Sequence, residues 1–170
     1  MISAIVTALN DERGLAATLS CLTTAAVDGF VREVIVADAG TNAAVQDVAE
    51  DTGAHWMRGS VDQACPLARQ SWLLILPAGV RLQMGWEPAA QAHIKRHPDA
   101  AGWFRLNYAA DGLGARLAEA WVNGAAQLLG QVRREHGLLV SARQWAASSG
   151  RGRGLRPVGP RVLVGGADLG

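Results

Sequence analysis

The chain has 170 residues, of which 49% are hydrophobic and 18% charged, and its net charge is +1. This length predicts one domain, 1–170, with a core of its own, and the low share of charged residues excludes extended disorder. The near-neutral balance argues against a nucleic-acid partner, and no apolar run reaches the roughly 18 residues that a membrane span needs.

The first predicted strand and helix lie at the N-terminus. Ile2 to Leu9 is apolar and rich in β-branched residues, which is typical of a strand. The dipeptide Asn10-Asp11 then suits the N-cap of a helix. Four residues of that helix share one face, namely Leu15, Leu19, Leu22 and Ala26.

Strands and helices continue to alternate up to about residue 100. Short apolar runs predict strands at Glu33 to Asp38, at His55 to Met57 and at Trp72 to Leu76. Helices are predicted after Thr41-Asn42, which can cap the first, and from Pro88 to about His97. Such alternation predicts a parallel sheet with helices on both faces, and ligands of these sheets bind beyond the carboxyl ends of the strands.

The pattern changes in the last third of the chain. Alternating residues from Trp103 to Tyr108 predict a half-buried antiparallel strand. Apolar residues at helical spacing then predict a helix at 112–130. A short strand at 137–140 and a helix at 142–147 come next. The Gly- and Arg-rich run 148–156 predicts a loop before a last strand at 161–164 and a Gly-rich tail.

Several segments in this order resemble a known family. The runs ALNDE, EVIVADAGTN and WLLILPAGVRLQMGW resemble the PTLNEE, EVIVVDGGSTD and WLLFLHADTRLPPGW of family 2 (GT-A type) glycosyltransferases. FRLNY and GLLVSARQW resemble elements of one small bacterial subfamily. The resemblance implies a GT-A-like three-layer α/β/α sandwich with a mostly parallel sheet. It also implies sugar transfer from a nucleotide diphosphate sugar, in the setting of cell wall biogenesis.

The resemblance also implies where the nucleotide binds. Family members hold the base and ribose across the ends of the first two strands, and an Asp ending the second strand accepts from the uracil or ribose. Asp38 stands at that position, and a carboxylate is a suitable acceptor for base N–H groups. The alternative is that Asp38 ends the strand or caps a turn. The implied nucleotide-binding residues are Ala8, Leu9, Asn10, Glu12, Asp38 and Gly40.

The sequence departs from the family where the metal and the general base are expected. The family supplies carboxylate ligands for Mg²⁺ or Mn²⁺ after the fourth strand, where this chain has Pro77-Ala78-Gly79. Neither outer residue offers a side-chain oxygen, so we expect no metal cofactor. The acidic pair that holds the family's proposed base is also missing, and the catalytic residues are unknown. Glu135 and His136 remain candidates for a proton acceptor, with a surface turn as the alternative.

Two further groups of residues have a functional and a structural interpretation. His93 and His97 are spaced to reach one zinc ion, but they have no apparent third ligand and resemble a solvated helix end. Arg151, Arg153 and Arg156 could hold a diphosphate in place of a cation, or form a basic surface loop.

Two functions therefore remain open. The first is a glycosyltransferase that moves the sugar with inversion by direct displacement. The second is a non-catalytic relative that binds nucleotide or sugar, or regulates. A dinucleotide-binding protein is disfavoured because no GxGxxG follows the first strand. Two cysteines without a CxxC pair, and an N-terminus unlike a signal peptide, indicate a cytoplasmic protein, with peripheral membrane association left open.

Overall fold

The computed structural model describes residues 1–108, 137–148 and 163–169. Its sheet begins with four parallel strands in the spatial order β3-β2-β1-β4. These strands are β1 (Ile2–Ala8), β2 (Val31–Asp38), β3 (His55–Arg58) and β4 (Trp72–Pro77). The parallel strands predicted from the apolar runs are confirmed.

The rest of the sheet is mixed. Its strands are β5 (Val80–Leu82), β6 (Gly102–Tyr108), β7 (Leu138–Ser141) and β8 (Leu163–Leu169). β7 pairs antiparallel with β4, and with β6 at Gly102 and Trp103. From Phe104 to Tyr108 β6 pairs parallel with β8, so the predicted strand is confirmed but its antiparallel pairing is wrong over most of its length. The last strand was expected to end at residue 164, before a Gly-rich tail, and that expectation is wrong. β8 continues to Leu169 because it pairs with β6 on one side and β5 on the other.

Helices cover both faces of this sheet. They are α1 (Glu12–Val27), α2 (Ala43–Asp51), α3 (Val61–Ala64), α4 (Trp86–Arg96) and α5 (Ala142–Ala147), with a 3₁₀ turn at Cys65–Leu67. Asp11 is the N-cap of α1, and its Oδ1 accepts from Gly14 N at 2.8 Å. Ala25 rather than the predicted Ala26 faces the core. No helix in the described ranges is long and apolar enough to cross a membrane.

The core consists of two apolar clusters, one on each face of the sheet. One cluster packs the sheet against α1, α2 and α4 through Leu15, Leu19, Leu22, Val45, Ala49, Trp86 and Ala90. The other packs it against α3 and α5 through Val61, Ala64 and Trp145. Successive residues of β1 alternate between the clusters, since Ala4 and Val6 lie in the first and Ile5 in the second. The three-layer α/β/α sandwich expected from the sequence is confirmed.

Three predicted features lie outside the described residues. They are the helix 112–130, the pair Glu135-His136 and the arginines Arg151, Arg153 and Arg156.

Candidate nucleotide site

Strand register brings the predicted site residues to one edge of the sheet. Ala8 of β1 lies opposite Asp38 of β2, and Thr7 lies opposite Pro77 of β4. Asp38 also lies opposite Arg58 at the end of β3. The carboxyl ends of all four parallel strands therefore share one edge, as the alternation of strands and helices predicted.

Asn10 joins the two loops that leave β1 and β2. Its backbone is left-handed, with φ 55, and its Oδ1 accepts from Thr41 N at 2.8 Å and Asn42 N at 2.9 Å. Asn42 in turn accepts from Ala44 N, which caps α2, and donates from Nδ2 to Glu12 at 2.9 Å. Asn10 and Glu12, both expected to bind nucleotide, thus build the rim of the site. An uncommon backbone conformation held by such contacts is often found at ligand sites.

Gly40 lies where these two loops approach most closely. A Cβ on Gly40 would stand 2.5 Å from Asn10 Oδ1 and 2.7 Å from Asn10 N. Its N–H donates to Asp38 Oδ1 at 2.8 Å, and its carbonyl accepts from an Arg58 Nη at 2.6 Å. Only glycine fits at such a distance from a neighbouring backbone, so Gly40 fixes the shape of the rim.

We expect Gly40→Ala to destabilise the fold by about 1–3 kcal/mol, because the added methyl overlaps Asn10 and the loops must separate. The matched control is Gly53→Ala, since Gly53 has φ +74 but no atom within 4 Å of its added Cβ. That control carries a backbone cost of about 1–2 kcal/mol far from the site. Thermal melts and titration with UDP check both variants. A Gly40→Ala variant with the wild-type melt and affinity would show that the two loops can separate freely.

Asp38 is fully buried and both of its carboxylate oxygens contact protein donors. Oδ1 accepts from Gly40 N, as in a turn cap, and Oδ2 accepts from Trp56 Nε1 at the long distance of 3.4 Å. Asp38 therefore caps the turn through Oδ1, as the alternative interpretation proposed. A nucleotide that used the other oxygen would have to replace the indole.

Leu9 and Arg58 are exposed at the carboxyl ends of β1 and β3. Leu9 is 67% exposed directly after β1, whereas Ala8 is buried. Arg58 is exposed at the end of β3, with its guanidinium carbon 5.5 Å from the centre of the Trp56 ring. The sequence analysis did not select Trp56 or Arg58. Both lie near the carboxyl end of β3, where the rule that ligands bind beyond the ends of parallel strands also applies. The carboxyl ends of the strands thus include an exposed apolar side chain after β1 and an exposed cation at the end of β3.

Pro77 ends β4 and is followed by Ala78 and Gly79, and none of the three has a side-chain oxygen. Ala78 N donates to Thr7 O at 2.8 Å, and Gly79 has φ +89 before β5 begins. A nearby carboxylate belongs to Asp11, whose Oδ2 would lie 3.7 Å from a Cβ on Gly79. The described part of the chain contains no group of three or more His, Cys, Asp or Glu side chains that could hold a metal.

His93 is a buried residue of α4, and His97 is the half-buried C-cap of that helix. His93 is buried, with Nε2 2.8 Å from Ala100 O and its ring edge-on to Trp72. Burial lowers the pKa of His93, and the nearby His97 adds to that effect. The expectation of a solvated helix end is therefore wrong for His93, whose ring is buried and contacts Ala100 O.

Comparison with known proteins identifies the fold. No protein-family model and no curated protein sequence matches the chain. Its structure is similar to glucosyl-3-phosphoglycerate synthase from Mycobacterium tuberculosis, with 17% identity and a TM-score of 0.59 over 84% of this chain and 57% of that chain. Mannosyl-3-phosphoglycerate synthase from Rubrobacter xylanophilus is similar too, with 12% identity and a TM-score of 0.59 over 85% of this chain and 55% of that one.

This structural similarity shows the GT-A-like fold that the sequence predicted. At 17% and 12% identity it shows the fold alone. Another structure of the mycobacterial synthase holds Mn²⁺ and UDP-glucose. The present chain spans a little over half the length of these synthases, at 57% of one and 55% of the other.

Proposed function

We propose that this chain is a glycosyltransferase-like protein that binds a nucleotide diphosphate sugar at the carboxyl ends of β1, β2 and β4. The observation that carries the proposal is the shared edge of these strands, where Asn10 and Gly40 build a fixed rim beside Asp38. Ligands of open α/β sheets bind at such an edge. The similar synthases support it, because one of them is described in complex with UDP-glucose.

The residues at this edge suit the parts of such a ligand. The exposed Leu9 after β1 offers an apolar side chain to the base, and Asp38 offers an acceptor to a base N–H. Arg58 is a cation at the same edge and can pair with a phosphate. We assign these roles as binding roles.

Transfer with inversion would form a bond from an acceptor oxygen to the anomeric carbon as the bond to the diphosphate breaks. The acceptor hydroxyl would lose its proton to a base, and Glu135 and His136 remain proposals for that base. The charge that develops on the diphosphate needs a positive partner. Arg58 is a described group of that kind, and Arg151, Arg153 and Arg156 remain proposals for the same task.

We further propose that nucleotide binding needs no divalent cation. Pro77 and Gly79 have no side-chain oxygen, and the carboxylate of Asp11 lies 3.7 Å from the position of a Cβ on Gly79. A single carboxylate is a weak site for Mg²⁺ or Mn²⁺, which bind several oxygen ligands.

A non-catalytic nucleotide- or sugar-binding role is the second candidate. It is favoured by the lack of carboxylates at Pro77 and Gly79, where the resemblance places metal ligands. Cytoplasmic localisation, a link to cell wall biogenesis and peripheral membrane association belong to the proposal in either form.

Calorimetry with UDP, GDP and UDP-glucose tests the proposal, with Mn²⁺ and with EDTA in parallel. We expect UDP or GDP to bind with the same affinity in both buffers. A large loss of affinity on chelation would contradict the metal-free site. No binding of any of the three at millimolar concentration would contradict the nucleotide site itself. Release of glucose or of a glucosylated product from UDP-glucose would favour the enzyme over the binding protein.

A further inference from the structure

The buried carboxylate of Asp38 is covered by side chains from the edge strand β3. Trp56 lies two residues before the end of β3 and directs its indole N–H to Asp38 Oδ2 at 3.4 Å. Arg58 lies on the same face of the strand, with its guanidinium carbon 5.5 Å from the centre of the Trp56 ring. We call Trp56 and Arg58 the β3 clasp.

Arg58 holds the clasp closed through the rim of the site. One of its Nη atoms donates to Gly40 O at 2.6 Å, while Gly40 N donates to Asp38 Oδ1 at 2.8 Å. Gly40 therefore connects the clasp to the carboxylate that the clasp covers. Asp38 accordingly has 0% of its surface exposed, although it lies at the carboxyl end of β2.

The clasp belongs to a short strand at the margin of the sheet, and Trp56 packs against the core from a partly exposed position. β3 has four residues and pairs with β2, at the end of the strand order. Trp56 is partly exposed and Arg58 is exposed, so neither side chain is locked by packing on all sides. The 3.4 Å separation of Trp56 Nε1 from Asp38 Oδ2 is at the long end for a hydrogen bond, and such a contact is readily exchanged.

We propose that Trp56 is an internal competitor for the nucleotide site, and that its indole N–H occupies the acceptor on Asp38 that a base N–H would use. This inference rests on the proposed nucleotide site. The clasp must open before the base can bind, so most of the free protein is in a closed form that cannot bind. The apparent affinity for nucleotide is therefore the affinity of the open form multiplied by the fraction of protein that is open. A base without a suitable N–H gains nothing from opening the clasp, so the competitor also selects among bases.

The test replaces Trp56 by phenylalanine, which keeps an aromatic ring and removes the N–H. We expect Trp56→Phe to bind UDP more tightly by roughly three- to tenfold, the worth of one ordinary hydrogen bond. The gain should vanish when Asp38→Asn is also present, and UDP methylated at N3 of uracil should show none. The matched control is Trp145→Phe on the other face of the sheet, whose indole N–H has no partner among the described residues. It should leave the affinity unchanged.

A second measurement follows the indole directly. In ¹⁵N-labelled protein, we expect the Trp56 indole resonance to shift in Asp38→Asn and again when UDP is added to the wild type. UDP binding by wild type with no gain in Trp56→Phe would overturn the competitor and leave the proposed function standing. Binding by Trp56→Phe alone would support both. Absence of binding in wild type and in Trp56→Phe would overturn the proposed function, and the inference with it.

Discussion

Asp38→Asn is expected to lower both the stability of the fold and its affinity for UDP. An asparagine can accept from Gly40 N through its oxygen, but its amide then faces the indole N–H of Trp56, so two donors meet. Leaving a buried donor without an acceptor costs about 1–3 kcal/mol, which thermal or urea unfolding measures. Loss of the charged acceptor should weaken UDP binding by a further 1–3 kcal/mol or so, measured by calorimetry.

Two controls separate these effects. Asp47→Asn makes the same chemical change on the exposed side of α2 and should alter neither quantity. Adding Trp56→Phe to Asp38→Asn removes the opposed donor and should recover most of the lost stability without recovering the affinity. An Asp38→Asn variant that unfolds and binds UDP as the wild type does would show that the carboxylate is needed neither for the turn nor for the ligand.

The central strands could be predicted because their neighbours bury both faces. β1, β2 and β4 are covered on each side, so they appear in the sequence as continuous apolar runs such as Trp72 to Leu76. The predicted alternation included a helix between β3 and β4 without bounds, where α3 lies, and β5 was not predicted. α3 has four residues and β5 has three, which is too short for a helical or alternating period to show.

The location of the candidate site could also be predicted, but its internal contacts could not. The rule that ligands bind at strand ends pointed to Asn10, Asp38 and Gly40. Whether Asp38 is open or covered depends on the register of β3, which sets Val36 opposite Trp56 and Asp38 opposite Arg58. A shift of one residue would turn the indole to the other face of the sheet, and no local sequence pattern fixes so short a strand.

Placing a carboxylate at position 79 by Gly79→Asp is expected to make the stability of the fold depend on Mn²⁺. Gly79 has φ +89, so Gly79→Asp should cost about 1–3 kcal/mol of stability in EDTA from backbone strain. Its carboxylate would also approach Asp11, whose Oδ2 lies 3.7 Å from the position of the added Cβ. Two carboxylates this close repel each other when no cation is present, but together they can bind one.

We therefore expect Mn²⁺ to raise the melting temperature of Gly79→Asp and to leave that of the wild type unchanged. Each kcal/mol that Mn²⁺ binding contributes should raise the melting temperature by roughly 2–4 °C in a domain of this size. Gly79→Asn carries the same backbone strain without the charge, so its melt should not respond to Mn²⁺. Adding Asp11→Asn keeps the cap of α1, since Asn is as good an N-cap as Asp, and should abolish the response of Gly79→Asp. A Pro77→Asp change on the Gly79→Asp background adds a further oxygen ligand and should strengthen the response. Equal responses in Gly79→Asp and Gly79→Asn would show that the added carboxylate does not reach a shared ion with Asp11.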